Sequence, residues 1–164
     1  MLELRVDSLA QTHAVAAAVA SLARAGDVIV VSGEMGAGKT AFAQGVGQAL
    51  GVDEPVTSPT FTLVHRYDLP SGTGTSARVL HHADLYRLER TDEVLDLALP
   101  ELAEDGGIVL VEWGEVADAL LGDHLVVHLE PDPLDDAPVA GDGGEVATPT
   151  ARLIELSAVG PAWA

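Results

Sequence analysis

The run from residue 28 to residue 50 constrains the fold more than any other part of the 164-residue chain. Val28, Ile29, Val30 and Val31 form a β-branched, apolar block of the kind buried on both faces of a parallel sheet. Gly33-Glu34-Met35-Gly36-Ala37-Gly38-Lys39-Thr40 follows at once, and a helix-compatible stretch then ends at Gly51. Gly33, Gly36 and Gly38 let the backbone curl so that successive amide N–H groups point inward, where the helix start adds the positive end of its dipole. A strand, a glycine loop and a helix in this order make a phosphate cradle. Lys39 is placed to reach the terminal phosphates, and the Thr40 hydroxyl to take one position on Mg²⁺. Lys39 is the only lysine in the chain. All other basic residues are arginine, so a compact ammonium occurs only where a point charge on phosphate is wanted.

A second apolar run, Ile108-Val109-Leu110-Val111, ends in Glu112-Trp113. Four apolar residues closed by an acid match the Walker-B pattern of P-loop NTPases, with Glu in place of the commoner Asp. A carboxylate at a strand end beside the phosphate loop is where Mg²⁺ needs its second anchor. Asp84 competes with Glu112 for the ion. The more apolar strand favours Glu112, which leaves Asp84 to position the attacking water or to couple hydrolysis to movement; a turn or helix cap is the bland reading of Asp84. Trp113 is suited equally to stacking on a nucleotide or partner and to filling the core.

The remaining elements read as an α/β, three-layer P-loop NTPase fold: a mixed, mainly parallel sheet with one antiparallel hairpin, flanked by helices, in a single domain. Residues 2–6 alternate as a short edge strand. Ser8 and Gln11 form a capping-box signature for a helix closed by Gly26. Ser58-Pro59-Thr60-Phe61 begins as a turn and leads into an alternating strand to Tyr67; residues 68–77 turn the chain, and residues 78–83 return as the hairpin's second strand. Thr91 is placed to cap a helix through Leu99, with Pro100 interrupting before a second short helical run to Ala103. A short helix over 116–121, a strand over 125–129 and a closing strand over 151–156 complete the order. Residues 130–145 hold four aspartates, three glycines, three prolines and no basic residue, which predicts a mobile acidic loop. His81 and His82 are strand neighbours facing opposite ways, so they form no close metal pair, and a structural or surface role suits both.

Composition excludes several function classes. The chain has no cysteine, which removes disulfides, thiolate zinc sites and Cys nucleophiles. With 26 acidic against 8 basic residues and a formal charge of −18, unaided nucleic-acid binding is disfavoured. No signal-peptide pattern opens the sequence and no apolar run approaches the ~20 residues that span a bilayer, so the expected location is the cytoplasm, without membrane attachment.

Four ordered motifs, Gly-Glu-Met-Gly-Ala-Gly-Lys-Thr, Ser-Pro-Thr-Phe-Thr-Leu-Val, Asp-Leu-Tyr-Arg-Leu and Val-Glu-Trp, together resemble the bacterial TsaE family of tRNA threonylcarbamoyladenosine biosynthesis. The resemblance implies a small ATPase that works with TsaB and TsaD to install threonylcarbamoyl on the adenosine beside the anticodon, touching tRNA only through the complex. ATP binding and hydrolysis would then cycle the complex. The resemblance carries nucleotide binding onto Thr12, Met35, Gly36, Ala37, Gly38, Lys39 and Thr40, and Mg²⁺ onto Thr40 and Glu112. It makes Asp84, with Lys39, a catalytic candidate and Ser58, Pro59, Thr60 and Phe61 a switch-like loop. Arg152 is a weaker match to C-terminal nucleotide contacts. Gly114 stands where the family often has proline, which implies a looser turn. A GTPase would need an Asn-Lys-x-Asp element, impossible with Lys39 as the sole lysine. The rival readings are a small-molecule kinase, drawing on Arg66, Arg87 and Arg90, and a nucleotide-gated binding module with negligible turnover.

Overall fold

The structure, a computed structural model, describes residues 1–59, 62–72, 74–88, 90–114, 117–133 and 151–163. Its strands are β1 (Leu2–Val6), β2 (Val28–Ser32), β3 (Val64–Asp68), β4 (Val79–Asp84), β5 (Gly107–Glu112), β6 (His124–Pro131) and β7 (Arg152–Val159). Its α-helices are α1 (Leu9–Leu22), α2 (Lys39–Ala49), α3 (Thr91–Leu95) and α4 (Leu99–Glu104). The strands form one mixed sheet in the order β1-β7-β6-β2-β5-β4-β3. β6, β2, β5 and β4 run parallel at its centre, β3 is antiparallel to β4, and β7 is antiparallel to both β6 and β1.

β2 is central because all five of its residues are buried, which only a strand covered on both faces permits. Alternation then sorts the sheet. Ile29, Val31, Leu80, Ile108 and Leu110 face a core shared with Ala16, Val19, Phe42 and Val46 of α1 and α2. Val28, Val30, Ala83, Val109 and Val111 face a second core with Val94, Leu99 and Ala103 of α3 and α4. These are the expected three layers. The expected edge strand β1 and the β3–β4 hairpin are both present; the β6–β7–β1 side adds antiparallel pairing beyond that hairpin.

Several boundaries differ from the sequence reading. Ser8 caps α1 as expected, its Oγ accepting from Gln11 N–H at 3.3 Å, but Gln11 Oε1 accepts from Asp7 N–H at 2.6 Å instead of closing the box on Ser8. α1 stops at Leu22; Gly26, at φ 100°, instead serves the turn into β2, donating its N–H to Gly107 O at 2.8 Å. Thr91 is the first residue of α3 and Arg90 is its cap, without a side-chain bond. That helix ends at Leu95, because Ala98 adopts the left-handed conformation and breaks the run. Pro100 is therefore the second residue of α4 instead of interrupting a helix, sitting in its first turn where a missing N–H costs nothing. The helix expected over 116–121 is a 3₁₀ turn at Asp118–Leu120. β6 runs two residues past Leu129, since Glu130 and Pro131 pair with Leu153 and Arg152, and β7 lies one strand inside the edge, not at it. The expected acidic loop falls, from residue 134 on, outside the described residues.

Candidate functional site

The parallel strands β2, β4 and β5 present their carboxyl ends along one edge of the sheet, the place where open α/β sheets bind ligands. The loop after β2 wraps this edge. Gly36 (φ 80°) and Gly38 (φ 107°) take backbone conformations that side chains disfavour, and a Cβ on Gly33 would lie 2.1 Å from Leu129 O. The glycines are therefore required by the loop's path. Helix α2 starts at Lys39 and closes in a Schellman motif, with Val52 N–H on Gly47 O and Gly51 N–H on Gln48 O. Its apolar face holds the cradle rigidly against the sheet.

A cleft of about 350 Å³ opens over the loop. Met35, Gly36, Gly38, Lys39, Thr40, Asp84 and Glu112, all expected site residues, line it together with Ala41, Tyr86 and Trp113. Lys39 is 5% exposed, and its Nζ donates to Gly33 O and Glu34 O at 2.7 Å each while lying 3.7 Å from the Trp113 ring centre. The ammonium is thus held inside the loop by carbonyls and a π face. Trp113 holds this place at a positive φ of 59°, a costly conformation for an aromatic residue, and packs on Tyr86 with ring centres 5.1 Å apart. Trp113 serves both of its expected roles: it lines the cleft and, half-buried, packs against the core shared with α3 and α4.

Thr40 and Glu112 meet directly. The Thr40 hydroxyl donates to Glu112 Oε2 at 3.1 Å, and Ser58 Oγ lies 3.1 Å from the same hydroxyl. One hydroxyl has one hydrogen, so with that hydrogen on Glu112, Ser58 is the donor of the second bond. Ser58 does not line the cleft but reaches Thr40 at its edge because β3 is antiparallel to β4, so the chain entering β3 arrives at the carboxyl edge of the sheet; Asp84 N–H on Leu63 O, at 3.1 Å, ties it there. Asp84 lies opposite Glu112 in the β4–β5 register, and its Oδ1 accepts from Tyr86 N–H at 3.0 Å, the turn-capping contact of its bland reading.

Other expected residues sit away from the cleft. Ala37 is buried behind the loop, with its carbonyl accepting from Arg152 Nε at 3.2 Å. Arg152 thus supports the loop from β7. Thr12 is buried on α1, and its hydroxyl donates to Ser8 O at 3.3 Å; it does not line the cleft. Pro59 is buried, and Thr60 and Phe61 lie outside the described residues. Arg66 and Arg90 pair with Asp68 and Asp92 on the surface, and neither they nor Arg87 line the cleft. Gly114 is a packing contact, since a Cβ there would lie 2.5 Å from Val30 Cγ1.

Sequence reasoning missed His82. It is fully buried, and its Nε2 lies 2.8 Å from Glu112 Oε1. The available signal was its spacing of two from Asp84, which puts both on one face of β4. His81 faces the other layer, where burial and then the charge of Arg66 hold its pKa below 6.5. Among the described residues, no group of three or more His, Cys, Asp and Glu could hold a metal by itself. Any cation held by Thr40 and Glu112 would need further oxygens from a ligand or water.

A family model described as "Threonylcarbamoyl adenosine biosynthesis protein TsaE" matches residues 6–136. The tRNA threonylcarbamoyladenosine biosynthesis protein TsaE of Streptomyces coelicolor is 38% identical over 149 residues, 89% of each chain. Proteins of the same name from Bacillus subtilis and Mycobacterium tuberculosis are 39% and 46% identical, the matches covering 68% and 65% of this chain. The chain spans 65% of the length of each of those two relatives. A crystal structure of YdiB from Bacillus subtilis superimposes with a TM-score of 0.68 at 29% identity, covering 97% of this chain and 86% of that one. Among the described residues, no helix is long and apolar enough to cross a membrane.

Proposed function

The chain belongs to the TsaE family, and from that premise we propose that it is a Mg²⁺-dependent ATPase supporting formation of the threonylcarbamoyl group on the adenosine next to the tRNA anticodon. It acts with TsaB and TsaD, and its ATP cycle drives cycling of that complex. The observation that carries the nucleotide reading is the Thr40–Glu112 contact at 3.1 Å at the mouth of the phosphate loop. One hydroxyl and one buried carboxylate converge beside the phosphate loop, and together they would supply protein oxygens to a Mg²⁺ ion.

Each residue then has a task. The amides of the loop around Gly36 and Gly38 bind phosphate oxygens, and Lys39 neutralises them. Thr40 and Glu112 would hold the ion, which would offset the charge of the phosphates. Asp84, opposite Glu112 in the β4–β5 register, would position the attacking water or couple hydrolysis to movement. Ser58, bonded to Thr40, links the chain entering β3 to the occupied or empty metal position. The aromatic pair Tyr86 and Trp113 walls the cleft. No clamp of arginines faces the cleft among the described residues, which favours this reading over a small-molecule kinase.

The −18 charge fits a protein that leaves tRNA contact to its partners. A pull-down of this chain with TsaB and TsaD, with and without MgATP, tests the proposal. Nucleotide-dependent association is expected; its absence would remove the partner-dependent role and leave only a nucleotide-binding domain.

A further inference from the structure

We infer that His82 is a positioning residue for Glu112, fixing which carboxylate oxygen faces the metal position; this rests on the reading of Thr40 and Glu112 as the Mg²⁺ pair. Both side chains are taken out of water, His82 at 0% and Glu112 at 2% exposure. Their contact, Nε2 to Oε1 at 2.8 Å, is the single hydrogen bond the imidazole makes among the described residues, and Nδ1 has no partner there. An ionised carboxylate only accepts, so the ring must present N–H at Nε2. The neutral Nε2–H tautomer does this without burying a second, unpaired N–H at Nδ1.

The consequence lies in the geometry of Glu112. A glutamate's terminal torsion is broad and two-fold, so an unheld carboxylate exchanges its two oxygens freely. Here His82 engages Oε1, and Oε2 is left to Thr40 at 3.1 Å and so to the ion. Register makes this possible. His82 and Asp84 share the face of β4 toward α2, and Asp84 stands opposite Glu112 on β5. One strand therefore supplies both the group that faces the cleft and the group that orients its neighbour. Partners outside the ligand shell commonly change metal affinity by about 10–100-fold when removed.

The test is ATP binding by calorimetry, first in EDTA and then across a Mg²⁺ titration, for His82→Leu, His82→Gln and Glu112→Gln. His82→Leu removes the donor at similar volume; His82→Gln keeps an N–H near the Nε2 position. The expected result for His82→Leu is a rise of about 10–100-fold in the Mg²⁺ concentration that half-restores nucleotide affinity, with affinity in EDTA unchanged. His82→Gln is expected to recover most of that loss. Circular dichroism checks folding, and if His82→Leu does not fold, His82→Asn replaces it, its shorter amide falling out of reach of Oε1. An unaltered Mg²⁺ dependence in His82→Leu or His82→Asn, or an equal loss in His82→Gln, overturns the inference. If Glu112→Gln itself leaves the Mg²⁺ dependence intact, the assignment of Glu112 as the metal residue fails instead.

Discussion

Glu112→Ala and Asp84→Ala should separate sharply, because the two carboxylates are held differently. Glu112 is 2% exposed and accepts from His82 and Thr40, whereas half-buried Asp84 accepts from one backbone N–H, that of Tyr86. A hydrogen bond to a charged group is worth about 1.5–3 kcal/mol. Two such bonds put the cost of Glu112→Ala at about 3–6 kcal/mol, and one in partial contact with water puts Asp84→Ala at about 1–2 kcal/mol. At about 2–4 °C per kcal/mol for a chain of this size, Tm falls by about 6–24 °C in the first and about 2–8 °C in the second. Ligand linkage then isolates the metal role from this baseline. A ligand at one hundred times its Kd stabilises by about 2.7 kcal/mol, or about 5–11 °C here. Thermal unfolding of each variant with ATP in EDTA and with MgATP gives the comparison. The Mg²⁺-dependent rise is expected to vanish in Glu112→Ala and to persist, reduced, in Asp84→Ala. The reverse order would exchange the roles of the two residues, and equal rises would remove both from the ion.

Two further outcomes test the scaffold. In Gly45→Val, the first added carbon would already lie 2.8 Å from Ala16 Cβ and 3.1 Å from His13 Cα, so α1 and α2 must separate. Overpacking should cost about 1–3 kcal/mol, seen as a lower denaturant midpoint, with Ala16→Gly restoring part of it; an unchanged midpoint would show that the helices do not meet this closely. His81 is expected to make stability pH-dependent. Burial, then the charge of Arg66 opposite it on β3, lower its folded pKa below the 6.5 of an unhindered histidine. The unfolded chain thus takes up this proton first as pH falls, so the contribution is complete above pH 6.5 and declines below it. His81→Gln should flatten that part of the Tm profile between pH 7.5 and 5.5, on the scale of the linkage relation, and an identical profile would contradict the burial argument.

What could be read from the sequence was what lies together in the chain. Val28 to Thr40 names strand, loop and helix start in one run, and the apolar block before Glu112 declares a buried strand whatever its neighbours are. What could not be read depends on contacts between distant segments or on backbone choices without a residue signature. Nothing in Leu97-Ala98-Leu99 announces that Ala98 turns left-handed and splits α3 from α4. The length of β6 is decided by Leu153 and Arg152, which pair with Glu130 and Pro131. Ser58 bonds to Thr40 only because β3 reverses direction beside β4. His82 is the intermediate case: its face was given by alternation with Asp84, but its partner Glu112 required the β4–β5 register.

All functional assignments rest on the loop binding the phosphates of MgATP through Lys39, whose Nζ waits between Gly33 O, Glu34 O and the face of Trp113. Titration calorimetry of MgATP into the native chain and into Lys39→Ala tests this most directly. The expected result is saturable one-to-one binding by the native chain and none measurable by Lys39→Ala under the same conditions. Unchanged affinity in Lys39→Ala would mean that the cleft over the glycine loop is not where the nucleotide binds.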